Sequence, residues 1–103
     1  HSIGDYRMED LLTTVNMKKG RIFVERNLSG LRKIPGGEEM LHTFHAWCRH
    51  PCSPGLVAGE LNIHRNTLRY RIEKIKKTTG HDLRSFRDAF ELFMAVTLET
   101  LLD

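Results

Sequence analysis

A chain of 103 residues, 40% hydrophobic and 28% charged, has the balance of one soluble globular domain and little room for a second core. No apolar run approaches a membrane span, and no signal-peptide pattern, repeat or low-complexity tract is visible. Sixteen basic against thirteen acidic residues give a net charge of +3 and a pI near 9.1. With only two cysteines, these features fit a reducing cytoplasm and an anionic partner.

In chain order, His1-Ser2 reads as a cloning remnant, and residues 3–36 as a helical lead-in from a missing upstream region. Residues 5–19 are expected to form a helix capped by Asp5, with Met8, Leu11, Leu12 and Val15 at i, i+3, i+4 and i+7 before Gly20 stops it. A second helix, about residues 21–32, carries Phe23, Val24, Leu28 and Leu31, with Gly30 weakening its end. Pro35-Gly36-Gly37 is a breaker and the expected internal boundary. The next helix, about residues 38–49, sets Leu41, Phe44, Trp47 and Cys48 on one side. A last helix is capped by Ser85, with Asp88 as a weaker capping-box partner. Phe86, Phe90, Phe93, Met94 and Leu101 are expected on its core face, which Leu92, Val96 and Leu98 widen. No alternating stretch is long enough for a strand, so the expected fold is all-α with about six helices.

The stretch with most to say lies between the third helix and the last, from Ser53 to Gly80. Ser53 can cap a helix and Pro54 suits its first position. Val57, Ala58 and Leu61 give that helix an apolar side. Asn62 sits where the chain must turn sharply, and asparagine tolerates a left-handed backbone. Ile63 follows as a plug. The next helix has Leu68, Ile72 and Ile75 at i, i+4 and i+7, and Gly80 ends it. A short helix, a tight turn and a second helix are the helix-turn-helix pattern. Between His64 and Lys77 stand six basic residues and the single acid Glu73, while the remainder of the chain is net acidic. The positive charge is therefore local to the second helix. With the apolar stripe inside, Asn66, Tyr70, Glu73 and Lys77 point outward, flanked by Arg65 and Arg69 on one side and Thr67 and Lys74 on the other. Such a helix suits the major groove, its leading residues at base edges and its flanks near phosphates.

The run NIHRNTLRYRIEKIKKTTGHDL resembles the C-terminal helix-turn-helix of bacterial PucR/CdaR-type regulators, which control purine catabolism and sugar-diacid utilisation. The likeness centres on His64-Arg65-Asn66-Thr67-Leu68, Tyr70-Arg71, Ile75, Thr79-Gly80 and Asp82-Leu83. The helix pair is also similar to that of the nucleoid protein Fis, so a Fis-like helix-turn-helix is expected near the C-terminal half, within a helix-turn-helix DNA-binding domain of residues 37–103. Carried over by position, the resemblance implicates His64, Arg65, Thr67, Arg69 and Tyr70 in DNA contact. It also implies an upstream ligand-sensing region, with sugar diacids preferred to purines as effectors. In one departure, Pro51-Cys52-Ser53-Pro54 replaces a more usual Asn-containing lead-in.

Residues and resemblance together assign base reading to His64, Arg65, Asn66, Thr67, Arg69 and Tyr70. Phosphate contact falls to Ser53, Arg71, Lys74 and Lys77. The expected function is sequence-specific binding of double-stranded DNA by the output domain of a bacterial transcriptional regulator of carbohydrate diacid utilisation. An α-helical interaction module whose basic helix binds an acidic partner is the alternative; preference for one duplex over scrambled DNA separates the two. His42, His45, Cys48, His50 and Cys52 have the element types of a zinc site. Cys48 falls on the apolar stripe, however, and no metal or cofactor is expected. No phosphate loop, nucleophile elbow or carboxylate pair suggests an enzyme. The working form on DNA is expected to be a homodimer, with Leu92 and Leu98 as interface contributors.

Overall fold

A computed structural model describes residues 7–102, so His1-Ser2 and the expected cap Asp5 lie outside the described residues. Six helices follow one another: α1 (Met8–Leu12), α2 (Met17–Lys33), α3 (Gly37–Arg49), α4 (Pro54–Leu61), α5 (Arg65–Thr79) and α6 (Phe86–Leu102). The fold is all-α, as expected. Among the described residues, no helix is long and apolar enough to cross a membrane.

The first two helices begin and end elsewhere than the periodicity predicts. α1 stops at Leu12, and the chain turns through Thr13 to Asn16, whose side chain caps α2 by accepting the Lys19 N–H at 3.1 Å. The apolar stripe is thereby broken: Leu12 is buried but Leu11 is 68% exposed. Gly20, expected as a stop, lies inside α2, where a Cβ would stand 3.3 Å from the side chains of Leu98 and Leu102. Gly30 also lies inside α2; a Cβ there would stand 2.9 Å from the Thr78 carbonyl oxygen on α5. Both glycines mark close helix crossings, α2 on α6 and α2 on α5.

Pro35-Gly36-Gly37 is the predicted breaker, turning the chain between two helices that share a core. Leu28 and Leu31 from α2 join Met40, Phe44 and Trp47 from α3, Val57 and Ala58 from α4, Leu68, Ile72 and Ile75 from α5, and Leu92 and Ala95 from α6. The α5–α6 turn is pinned from both sides. Trp47 Nε1 donates to the Leu83 carbonyl at 3.1 Å, and the buried His81 ring bonds through Nε2 to Asn27 Oδ1 on α2. Asn27 Nδ2 donates to the Phe23 carbonyl, so the oxygen faces His81 and the imidazole is the donor. At the start of α6 the Asp88 N–H points at Ser85 Oγ (3.4 Å). The Asp88 carboxylate accepts from the Asp82 N–H at 2.9 Å, which replaces the reciprocal half of the expected capping box.

The last helix turns a different face inward from the one expected. Leu92, Ala95 and Leu98 are buried (0%, 0% and 5% exposed), whereas Phe86 is 84% and Phe90 44% exposed. Leu92 and Leu98 are therefore core residues and cannot contribute to an interface between copies. Phe86 and Phe90 stack on each other at 5.9 Å beside an apolar groove of about 500 Å³ between Trp47, Cys52, Pro54, Leu83 and Phe93. They are surface residues rather than the core aromatics the helical spacing suggests.

Cys48 sits half-buried on α3 and Cys52 is exposed, both as free thiols. Burial pushes the Cys48 thiol up to about 11, making its thiolate about a hundredfold scarcer at neutral pH than at the ordinary value. Brief alkylation of the folded protein is therefore expected to modify Cys52 first. Peptide mass analysis showing equal labelling of Cys48 would contradict its burial.

Candidate nucleic-acid interface

The α4–α5 unit is built by local rules. Pro54 opens α4 where no N–H is needed, and Ser53, expected as its cap, makes no capping hydrogen bond with its side chain. At the other end Asn62 takes a left-handed backbone (φ 55°, ψ 48°), and the Ile63 N–H reaches back to the Ala58 carbonyl at 3.0 Å. That pattern closes a Schellman-type end with asparagine in place of glycine. The chain can then re-enter a helix after two residues. His64 adopts an extended conformation and caps α5: its Nδ1 accepts the Asn66 N–H at 3.0 Å. Gly80, with φ 81°, ends α5 as predicted.

Packing fixes the helix's rotation. Leu68, Ile72 and Ile75 are buried, so His64, Arg65, Asn66, Thr67, Arg69, Tyr70 and Lys77 all lie on the exposed side. Lys74 is half-buried, its ammonium 5.7 Å from the Tyr70 ring centre and 3.5 Å from the hydroxyl. Arg65 lies back along α4, with Nη2 3.9 Å from where a Gly55 Cβ would stand. Of the six residues assigned to base reading, Asn66, Thr67, Arg69 and Tyr70 form the open outer surface of the helix's first half. Arg65 reaches the start of α4, and His64 holds the first turn of α5.

The phosphate assignments divide as well. Lys77 is exposed and Ser53 half-buried; the Ser53 hydroxyl faces the Pro51 carbonyl at 3.5 Å. The Arg71 guanidinium, by contrast, is engaged inside the protein. Its side chain is only 14% exposed, donates to Thr43 Oγ1 at 3.1 Å and pairs with Glu39 on α3. A phosphate contact from Arg71 competes with this internal pairing. Glu73 points outward as read, yet pairs with Arg84 at 2.7 Å, and Lys76 lies 3.7 Å from Asp82. The one acid of the helix is thus neutralised by the turn that follows it.

A second set of ion pairs sets the start of the motif. Glu60 on α4 holds Arg49 in a bidentate pair and His50 at 2.9 Å, joining α3 to α4. Hydrogen bonds from Arg49 and then His50 pull the Glu60 carboxyl from the ordinary 4.5 down to about 2. A depressed carboxyl contributes stability above its unfolded value, and that contribution disappears as pH falls through the folded one. Melting curves of wild type and Glu60→Gln are therefore expected to differ above about pH 4.5 and to converge toward pH 2. Constant separation across that window would show that the pair does not couple to folding. With His50 committed here, no three His, Cys, Asp or Glu side chains among the described residues are grouped to hold a metal ion.

A short helix, a left-handed asparagine turn and a core-anchored basic helix with a polar outer surface define a helix-turn-helix domain. A family model described as the PucR C-terminal helix-turn-helix domain matches residues 40–98, and the chain belongs to that family. Over 74 residues it is 38% identical to the carbohydrate diacid regulator of Escherichia coli (strain K12), covering 72% of this chain and 19% of that protein. It is 29% identical over 93 residues to the purine catabolism regulatory protein of Bacillus subtilis (strain 168), covering 89% of this chain and 17% of that one. A regulator of polyketide synthase expression from Bifidobacterium adolescentis, known from its crystal structure, matches with a TM-score of 0.73 at 30% identity. That match covers 94% of this chain and 40% of the other. The chain thus spans less than a fifth of the two curated relatives. All three descriptions are of regulators rather than enzymes.

What holds α5 in place was less visible in the sequence than the helix's exposed surface. Glu39, Thr43, Glu60 and Arg84 carry no motif signal.

Proposed function

We propose that this chain is the sequence-specific, double-stranded-DNA-binding output domain of a bacterial transcriptional regulator. The observation that carries this reading is the exposed Asn66, Thr67, Arg69 and Tyr70 surface on a helix whose rotation is fixed by Leu68, Ile72 and Ile75. Arg69 and Asn66 have the hydrogen-bonding groups that discriminate base edges, and Lys74 and Lys77 lie further along to neutralise phosphate. The chain works as a two-fold pair, because one such helix reads only part of a helical turn of duplex. Residues 3–36 lead from an upstream ligand-sensing region, consistent with the greater length of the relatives. We assign the regulated process to carbohydrate diacid utilisation, on the higher identity to the diacid regulator than to the purine one.

Selecting bound duplexes from a random pool tests the reading and supplies a preferred site. On that site Arg69→Ala is expected to lose about 1–3 kcal/mol and relax base preference at one position. Lys74→Ala is expected to weaken all duplexes alike and to reduce the salt slope by about 1. Isotherms at several salt concentrations check both; equal losses on preferred and scrambled DNA for Arg69→Ala would remove it from the readers. Recovery of no enriched sequence would overturn sequence-specific binding.

A further inference from the structure

His64 does two things with one ring. Its Nδ1 accepts the Asn66 N–H at 3.0 Å, which makes that nitrogen an acceptor and so unprotonated. A neutral imidazole then carries its proton on Nε2, across the ring from the cap. The side chain is exposed, and among the described residues nothing takes a hydrogen bond from Nε2. Serine or aspartate would cap as well, without an N–H on the far side of the cap, and asparagine would leave an amide with two donors rather than one.

We infer that His64 is a cap whose hydrogen bond locks the Nε2–H tautomer and thereby presents a lone donor to a base-edge acceptor at the mouth of the interface. The inference rests on the DNA-binding reading above and deepens it, from a list of contacts to a rule of discrimination. A lone donor accepts purine N7, guanine O6 or thymine O4 as a partner. It is repelled by the amino groups of adenine and cytosine, which are donors themselves. The first turn of a recognition helix is where such base-edge contacts fall. The cap and the reader are then one residue, so the geometry of readout is set by the start of the helix rather than by a free rotamer.

The test separates the two roles and separates both from the parent reading. Long-range proton–nitrogen spectra of the free protein should show His64 protonated at Nε2 and bare at Nδ1; the opposite tautomer overturns the inference. His64→Ser keeps a capping oxygen but cannot reach outward, while His64→Ala keeps neither. Thermal melting of His64→Ser is expected to match wild type, and His64→Ala to melt about 4–8 °C lower. Equal melting of His64→Ala and wild type overturns the capping role. On the preferred duplex His64→Ser should bind about tenfold more weakly with its preference lost at one base pair, and on scrambled DNA it should bind unchanged. Unaltered binding removes the donor role, and equal weakening on both duplexes places the contact on phosphate instead. If wild type itself prefers no duplex, the parent reading fails, while the spectra and melting curves still report on the cap.

Discussion

Replacing Gly37 by alanine is expected to cost at least about 3 kcal/mol, the top of the range for forced overpacking, and in a domain this small to leave much of the chain unfolded. A Cβ at this position would stand 2.1 Å from the Leu31 carbonyl oxygen, far inside any real contact. That oxygen belongs to the backbone of α2, so no side chain can swing away to relieve the clash. Gly30→Ala is expected to follow with a smaller loss, since its Cβ would meet the Thr78 carbonyl oxygen at 2.9 Å. Gly59 supplies the contrast. It lies exposed within α4 with nothing within 4 Å of its would-be Cβ, so Gly59→Ala should stabilise by about 0.5–1 kcal/mol through helix propensity. Chemical denaturation of the three variants checks the order; a stable Gly37→Ala protein would mean α2 and α3 do not meet as described.

Trp47 is the second position where a large effect is expected. Its ring is buried in the core, and its Nε1–H satisfies the Leu83 carbonyl in the turn that leads to α6. Trp47→Ala should cost about 3–5 kcal/mol, as for other buried aromatics. Trp47→Phe keeps most of the packing but leaves the Leu83 carbonyl without its donor, so about 1–3 kcal/mol is expected. Equal losses for the two variants would mean that the hydrogen bond carries the whole effect and the packing none.

The middle of the chain was legible because local rules govern it. Pro54 can only open a helix, Asn62 turns one, Gly80 closes one, and a narrow stripe of Leu68, Ile72 and Ile75 leaves one choice of rotation. The two ends were misread for a shared reason: periodicity says that a helix has an apolar face but not which neighbour claims it. Leu11 keeps the spacing of a helix that Asn16 interrupts. Phe86 and Phe90 are larger than Leu92 and Ala95, yet the smaller residues went inside, on a helix that crosses α2 closely where Gly20 meets Leu98 and Leu102. Arg71 shows the same limit for charge. A guanidinium on a basic helix reads as a ligand for phosphate, and nothing local in the sequence announces Glu39 and Thr43, about thirty positions earlier and one helix away.

The pairing of α2 with α6 has a consequence for how the chain is made. Arg32 meets Glu99 across 67 positions, and Arg21 reaches the Leu102 carbonyl across 81. The helix-turn-helix therefore lies inside a loop that is closed only once α6 has left the ribosome. While α3, α4 and α5 are being synthesised, Leu28 and Leu31 of α2 lack part of their final cover, and the close approach at Gly20 has no partner. Local turns such as that at Asn62 can form early, but the cooperative fold waits for α6. A nascent chain that stops after Gly80 would carry the whole helix-turn-helix in its sequence and lack the closure that makes it a folded unit.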